Sequence, residues 1–381
     1  MFNYIIIGAG FAGSVIAERI ASQLGKKVLI IERRNHIGGN CFDYKDENGI
    51  IVHKYGPHIF HTDHKEVFDY LSNFTDWHYY NHRVLAFIDG KKVPIPFNFN
   101  SMDMVFPKDL SNKLQNKLLS YYQYGSKVPI LKLRQINDPD IQFLANYVYE
   151  KVFLNYTSKQ WGKKPEEIDP EVTARVPIFI GRDDRYFNDK YQAVPSEGYT
   201  KIFERMLGHP NIKLMLNTDF KEVMRIDIET KKIYFMGQEF KGMVIFTGQI
   251  DELFDYKYGV LDYRSLRFEF KVIDKEYYQE TASVNYPNSY DFTRITEFKH
   301  IHPADTRKTT IAIEYPEDYS LGKTPYYPFF TEDARRRYEI YYEMSKGFDN
   351  LVLVGRLAEY RYYDMDDIVK RALEVFEEKV K

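Results

Sequence analysis

Residues 3–40 read NYIIIGAGFAGSVIAERIASQLGKKVLIIERRNHIGGN, and the order of their parts decides the fold. Tyr4 to Ile7 is a short apolar, β-branched run of the kind buried in a parallel sheet. Gly8, Gly10 and Gly13 follow as G-x-G-x-x-G, at the junction with a helical pattern that runs from Ser14 to Leu24 and stops at Gly25. Val28 to Ile31 is a second strand, closed by Glu32, 24 positions beyond Gly8. Each glycine has a physical task. Gly8 permits the tight turn, Gly10 lets a pyrophosphate approach the backbone, and Gly13 brings helix against strand. A diphosphate then sits on the helix N-terminus, where free N–H groups and the dipole favour anions. Glu32 is placed to accept hydrogen bonds from an adenosine ribose. A glycine triplet alone is a weak signal; two strands, a helix and an acid in register predict a dinucleotide-binding unit.

The remaining composition narrows the class. A chain of 381 residues exceeds the usual single-core size, so two or three domains are expected. The formal net charge is −2 with acids and bases interspersed, which argues against nucleic acid as a partner and against a membrane-surface role. The single cysteine, Cys41, excludes an intrachain disulfide, a redox-active pair and a cysteine-rich metal site. The N-terminus runs straight into a strand without a leader pattern, and no apolar run approaches the roughly 20 residues that span a bilayer. The expectation is a cytoplasmic protein without membrane insertion. The 33 tyrosines and 28 phenylalanines exceed what packing requires and suggest stacking and phenolic hydrogen bonds as well.

Along the chain, HKYGPHIFHT (53–62) holds three histidines around Gly56 and Pro57. His58 and His61 lack a cysteine or carboxylate at ligand spacing, so a loop over the cofactor is expected rather than a metal pair. Residues 79–98 read as a β-hairpin turning at Asp89-Gly90. Ser101 to Gly162 is predicted helical. Its last helix opens at Asp138-Pro139 and carries an apolar stripe of Ile141, Leu144, Val148, Val152 and Tyr156. In the segment NYTSKQWGKK (155–164), Tyr156 extends that stripe, while Thr157 and Trp161 share a neighbouring face; core packing and ligand contact both stay open for them. Leu214 to Phe246 reads as short strands ending in MVIFTG, and 263–272, 281–286, 292–298 and 309–314 alternate as antiparallel strands with one solvated face do. NLVLVGRLAEYRYYDMDDIVKRALEVFEEKV gives a buried strand to Val354 and a closing helix from about Met365, with Asp364 as its cap. VPSEGYT is not a nucleophile elbow, and no second glycine fingerprint follows a strand. Arg175, Arg294, Tyr186, Tyr327 and Tyr362 stand in aromatic surroundings, and such arginine forks and phenols suit phosphate oxygens. Ordinary surface ion pairing is the competing reading.

RRNHIGGN, just past Glu32, resembles the R-x-x-x-G-G continuation of FAD-binding folds more than an NAD-dehydrogenase pattern. The set IERRNHIGGN, HKYGPHIFHT, YTSKQWG, RYFNDKYQ, GYTKIFE, DYRSLRFE, TRITEFKH, PYYP and GRLAEYRYYDMD resembles bacterial UDP-galactopyranose mutases, in family order over nearly the whole chain. The resemblance implies an α/β chain: an FAD-binding Rossmann-type domain (1–78, 200–250 and 345–381), an inserted helical domain (101–170) and a twisted antiparallel β-sheet domain (79–100, 171–199 and 251–344). It also implies a homodimer. The implied activity is a redox-neutral isomerisation between UDP-galactopyranose and UDP-galactofuranose that needs FAD reduced and runs through an adduct of the sugar on flavin N5, feeding cell-surface polysaccharide synthesis. The resemblance gives catalytic roles to Arg175, Arg294 and His58. It places His82, Tyr156, Thr157, Trp161, Tyr186, Asn285, Tyr327 and Tyr362 with the arginines around the substrate. Around FAD it places Gly8, Gly10, Ala12, Gly13, Glu32, Arg33, Gly39, Asn40, His58, Ile59, Asp219, Phe220 and Arg356, with Tyr363, Asp364, Met365, Asp366, Asp367 and Ile368 of the closing motif. Ala12 stands where a bulkier residue can occur. Two rivals share parts of this pattern: an FAD-dependent amine or porphyrinogen-type oxidase, and a flavoprotein that binds a nucleotide sugar without turnover.

Overall fold

The strand Tyr4–Ile7 lies at the centre of a five-stranded parallel sheet, between Val28–Ile31 and Met243–Phe246. Ile212–Met215 and Leu351–Leu353 form its edges. The computed structural model describes residues 2–162 and 177–381, the side chain of Trp161 excepted. Alternation along the central strands sends side chains to opposite faces. Ile6, Ile30, Ile245 and Val352 pack with helices Phe11–Leu24, Tyr199–Leu207 and Met365–Val375, whereas Ile5, Ile7, Leu29, Val244 and Phe246 pack toward helix Glu332–Ser345. Burial on both faces explains why these strands are continuously apolar.

A seven-stranded sheet stands beside it, in the order Tyr327–Pro328, Tyr263–Ile273, Thr309–Asp318, Arg294–Glu297, Ser283–Asn285, Val84–Ile88, Lys91–Ile95. Every pairing is antiparallel except that of Ser283–Asn285 with Val84–Ile88. The register sets Asn285 opposite Arg294, Arg294 opposite Glu314, and Glu314 opposite Phe268. Directly paired residues share a face, so this row forms one transverse strip of side chains.

The helical layer covers the hairpin 84–95 through a separate core that includes Ile95, Phe97, Leu114, Ile141, Leu144 and Val148. Helix Pro139–Val148 starts where the Asp138 carboxylate accepts from the amides of Asp140 at 3.0 Å and Ile141 at 3.2 Å. Two local departures from the sequence reading follow. Lys127–Pro129 is a short strand paired with Pro177–Phe179, inside a stretch read as helical. The turn Tyr149–Leu154 is π-helical, and its extra residue rotates the face that follows. Val152 is therefore succeeded in the buried stripe by Thr157, five residues on, and not by Tyr156, which is only half-buried and turns toward the antiparallel sheet. Helix Asn155–Trp161 ends at Gly162 in the left-handed region, φ 70°.

Candidate active site

The glycine loop closes on itself with little space. A Cβ on Gly8 would lie 2.1 Å from Thr247 Oγ1, one on Gly13 2.1 Å from the Gly8 carbonyl, and one on Gly39 2.9 Å from Gly10 Cα. Gly10 supplies no side-chain cap to the helix Phe11–Leu24, so the first N–H groups of that helix open into a cleft. The cleft is lined by Gly8, Gly10, Ala12, Glu32, Arg33, Gly39, Asn40, His58, Phe220, Arg356, Asp364, Met365 and Ile368 of the residues singled out in the sequence. Gly13, Ile59, Asp219, Tyr363, Asp366 and Asp367 do not line it. Gly13 packs against the loop it follows, and Ile59 is buried in a separate core. Asp219 caps a short helix and lies 3.6 Å from Arg33; the Tyr363 carbonyl accepts from Arg356. Asp366 is buried, and Asp367 accepts from the Asp364 amide at 3.2 Å as part of a capping box.

The donor set fits a dinucleotide. Glu32 accepts from the amides of Ala9 and Arg34, both at 2.9 Å, which fixes its carboxylate at the cleft wall. Arg34 lies over the Tyr55 ring at 4.2 Å and donates to Asn40 at 3.0 Å, while its Nη1 is buried without a protein partner. A buried guanidinium nitrogen left unpaired beside uncapped helix amides is what an anionic cofactor would satisfy. Arg34, Glu252, Thr247 and Tyr326 also line the cleft. Arg34 is the arginine of the R-x-x-x-G-G continuation, but the sequence reading gave none of these four a cofactor contact.

His58 sits at the far end of this cleft, where Nδ1–H donates to the Gly56 carbonyl at 2.8 Å and leaves Nε2 as an acceptor. Burial pulls its pKa down to about 4, with the Gly56 carbonyl opposing and Arg356 assisting, so the ring is neutral. Gly56 rests on the transverse strip: a Cβ there would lie 3.1 Å from Phe268 and 4.0 Å from Glu314 Oε2. The cofactor cleft and the strip are thus adjoining.

Arg294 is the charge at the middle of the strip. Its Nε donates to Asn285 Oδ1 at 3.2 Å, Nη2 donates to the Tyr156 hydroxyl at 2.9 Å, and Nη1 lies 3.9 Å from Glu314. Burial disfavours its charge, yet Tyr156, Glu314 and Tyr186 outweigh that and hold it ionised. Burial pushes the Tyr156 phenol up to about 12, so it stays protonated. His82 is buried, its Nδ1 3.2 Å from the Tyr80 hydroxyl and its ring edge-on to Tyr186; burial, with Arg294 and His61, pulls its pKa down to about 3. Tyr327 and Tyr362 stack at 5.9 Å with the Arg356 guanidinium over both rings. Thr157 is buried behind Tyr156. Arg175 and the Trp161 indole lie outside the described residues. Glu314 was not anticipated; its only signal was an acid inside the alternating apolar run TTIAIEY.

Two groups of described side chains, Asp43–His53–His302 and His64–Asp366–Asp367, come close enough to share an ion. In the first, the His58 amide donates to His53 Nδ1 at 3.0 Å, so neutral His53 carries its proton on Nε2 and donates to His302 Nε2 at 3.0 Å. Asp43 is likewise occupied by the Tyr199 and Thr200 amides. Both ring nitrogens of His53 are thus engaged by protein groups. Among the described residues no helix is long and apolar enough to cross a membrane.

Comparison with known proteins identifies the arrangement. A family model described as UDP-galactopyranose mutase matches residues 151–362, and a model of an NAD(P)-binding Rossmann-like domain matches residues 6–74. A dTDP-fucopyranose mutase of Escherichia coli is 35% identical over 383 residues, covering 98% of this chain and 97% of that protein. A probable UDP-galactopyranose mutase of Klebsiella pneumoniae is 35% identical over 379 residues, covering 99% and 94%. The crystal structure of a reduced UDP-galactopyranose mutase superposes with a TM-score of 0.74 at 16% identity, covering 100% of this chain and 94% of that one, a likeness of fold. With two adjoining half-sites of the expected chemistry and relatives matched end to end, the chain belongs to the UDP-galactopyranose mutase family.

Proposed function

We propose that this protein interconverts UDP-galactopyranose and UDP-galactofuranose, using FAD held in the reduced form in the glycine-lined cleft. The observation that carries the reading is the junction at Gly56–His58, where the dinucleotide cleft meets a partly buried, ionised arginine tied to residues of both the helix and the sheet. Bound reduced flavin supplies the nucleophile for the anomeric carbon; no described side chain competes for that role. The one thiol, Cys41, is buried and pushed up to about 12.

The protein's part is to bind, orient and hold charge. Arg294, with Tyr186, Tyr327 and Tyr362 as phenolic donors, and Arg175 where the family motif places it, would neutralise the diphosphate. They would keep the departing nucleotide in place for recapture. Asn285 and Tyr156 fix the Arg294 fork, so the charge is in position before the glycosidic bond breaks. Neutral His58 offers Nε2 as a proton acceptor beside the cleft. Tyr156, Thr157 and Trp161 would form the uridine wall. The family resemblance also supports a homodimer in the cytoplasm that supplies galactofuranose for surface polysaccharide.

A second nucleotide sugar is favoured by one finding: the dTDP-fucopyranose mutase is as similar to this chain as the UDP-galactopyranose relative. The test is chromatography of purified yellow protein incubated with UDP-galactofuranose or dTDP-fucopyranose, each with and without dithionite. Conversion of the UDP sugar only, or far faster, under reduction supports the proposal. Conversion of the dTDP sugar alone replaces the substrate, and oxygen consumption without isomerisation sinks the mutase reading.

A further inference from the structure

Lys159 lies three residues beyond Tyr156 on the helix Asn155–Trp161, where burial opposes its charge and Asp291 of the neighbouring connection supports it. Its Nζ donates to three backbone carbonyls, of Tyr286 at 2.5 Å, Tyr290 at 3.0 Å and Phe292 at 3.1 Å. An ammonium has three protons, so this set uses its full donor capacity. All three acceptors belong to the connection 286–292 between strands Ser283–Asn285 and Arg294–Glu297, the two strands that present Asn285 and Arg294. The same helix end is held from the other side by Arg264, whose Nε donates to the Gln160 carbonyl at 2.9 Å and Nη2 to the Lys159 carbonyl at 3.3 Å. Asn155 adds a contact to Asn288 at 2.7 Å.

The consequence is geometric. Tyr156 and Arg294 come from elements 138 positions apart and meet through one hydrogen bond of 2.9 Å. A single bond from the charged guanidinium to a neutral hydroxyl contributes about 1.5–3 kcal/mol and does not by itself fix two layers against each other. Three charge-assisted bonds from one ammonium add to that hold, and they converge within one helical turn of Tyr156. We propose that Lys159 is a positioning residue of the site: by clamping the 286–292 connection, it holds Tyr156 and Thr157 in register with Asn285 and Arg294. This rests on the mutase reading, because it assigns those four residues to one ligand.

The test uses the FAD holoenzyme of Lys159→Met, which keeps the aliphatic stem, and of Lys159→Gln. UDP and dTDP are titrated into oxidised protein, and turnover is measured under dithionite. Both variants should retain wild-type FAD content while nucleotide affinity weakens about tenfold, with KM raised more than kcat is lowered. In a Tyr156→Phe background the same substitution should cost less than about twofold, since the contact it supports is already gone. Additive penalties, unchanged nucleotide affinity, or loss of FAD or of folding in both variants would overturn the proposal, the last marking Lys159 as scaffold. Wild-type protein that binds UDP without turnover sinks the mutase reading while the affinity comparison still decides the role of Lys159. Wild-type protein that binds neither nucleotide overturns both.

Discussion

At the scale of single residues, Arg294 concentrates the chemistry. A guanidinium this far withdrawn from water is held in place by Asn285, Tyr156 and Glu314 around it. Replacing it removes the fixed positive charge that a departing diphosphate needs, and leaves the cofactor cleft untouched. Arg294→Ala should therefore lower turnover at least about 100-fold with FAD stoichiometry, read from flavin absorbance, unchanged. Activity within tenfold of wild type would place the anion elsewhere. Glu314→Gln should act more mildly on turnover while weakening the arginine's orientation, because the neutral amide keeps the shape and loses the opposing charge. Arg294 was singled out in the sequence by its aromatic surroundings, with surface ion pairing as the competing reading, and only the family resemblance gave it a role. Glu314 was not singled out, because which residue lies opposite another depends on strand register, and register is set by pairing over long sequence distances.

At the scale of elements, the helix that ends in YTSKQWG shows where periodicity stops being informative. Spacings of three and four carry the stripe correctly to Val152 and then assign the next buried place to Tyr156. One π-turn inserts a residue, moves burial to Thr157 and frees Tyr156 for Arg294. No residue in YEKVFL announces such a turn. By contrast, Asp138-Pro139 at the start and Gly162 at the end were readable, because capping depends on local chemistry alone. The end is testable. Gly162 is left-handed, and a Cβ there would meet the Arg264 guanidinium at 2.9 Å. Gly162→Ala should cost about 1–2 kcal/mol through backbone strain, lower the thermal midpoint, and weaken nucleotide binding by displacing Arg264 from the helix end. An unchanged midpoint together with unchanged binding would show that the helix end tolerates rearrangement.

At the scale of the whole molecule, the discontinuous parallel sheet could be anticipated from its strands, since MVIFTG and NLVLVG are apolar runs stopped by glycine like the first. What could not be anticipated is how the layers bury histidine where they meet. His53, His58, His82 and His302 are all held neutral, chiefly by burial, with pKa values about 4 for His58 and His302, about 3 for His82, and well below the usual value for His53. In the unfolded chain each titrates near 6.5. As pH falls below 6.5 the unfolded state takes up protons that the folded state refuses, so stability is lost progressively until the folded groups titrate near 4 and 3. His61 and His300 act the other way. Burial opposes their charge, but Asp189 and Glu297 outweigh it and raise their pKa, so their stabilisation is present below 6.5 and lost as pH rises through their folded values. Between pH 6 and 5 the two raised groups are largely protonated in both states and add little, so the four neutral rings dominate, each contributing up to one proton of uptake on unfolding, on the order of 1.4 kcal/mol per pH unit. Urea midpoints measured at pH 7.5, 6.5 and 5.5 with FAD saturating should therefore fall steeply over the last interval. His302→Gln keeps an acceptor for the His53 Nε2–H and removes one titrating ring, so its loss over that interval should be smaller by about one proton's worth. A pH-independent midpoint, or an equally steep fall in His302→Gln, would mean that water or protonation reaches these rings in the folded protein and that burial does not hold them neutral.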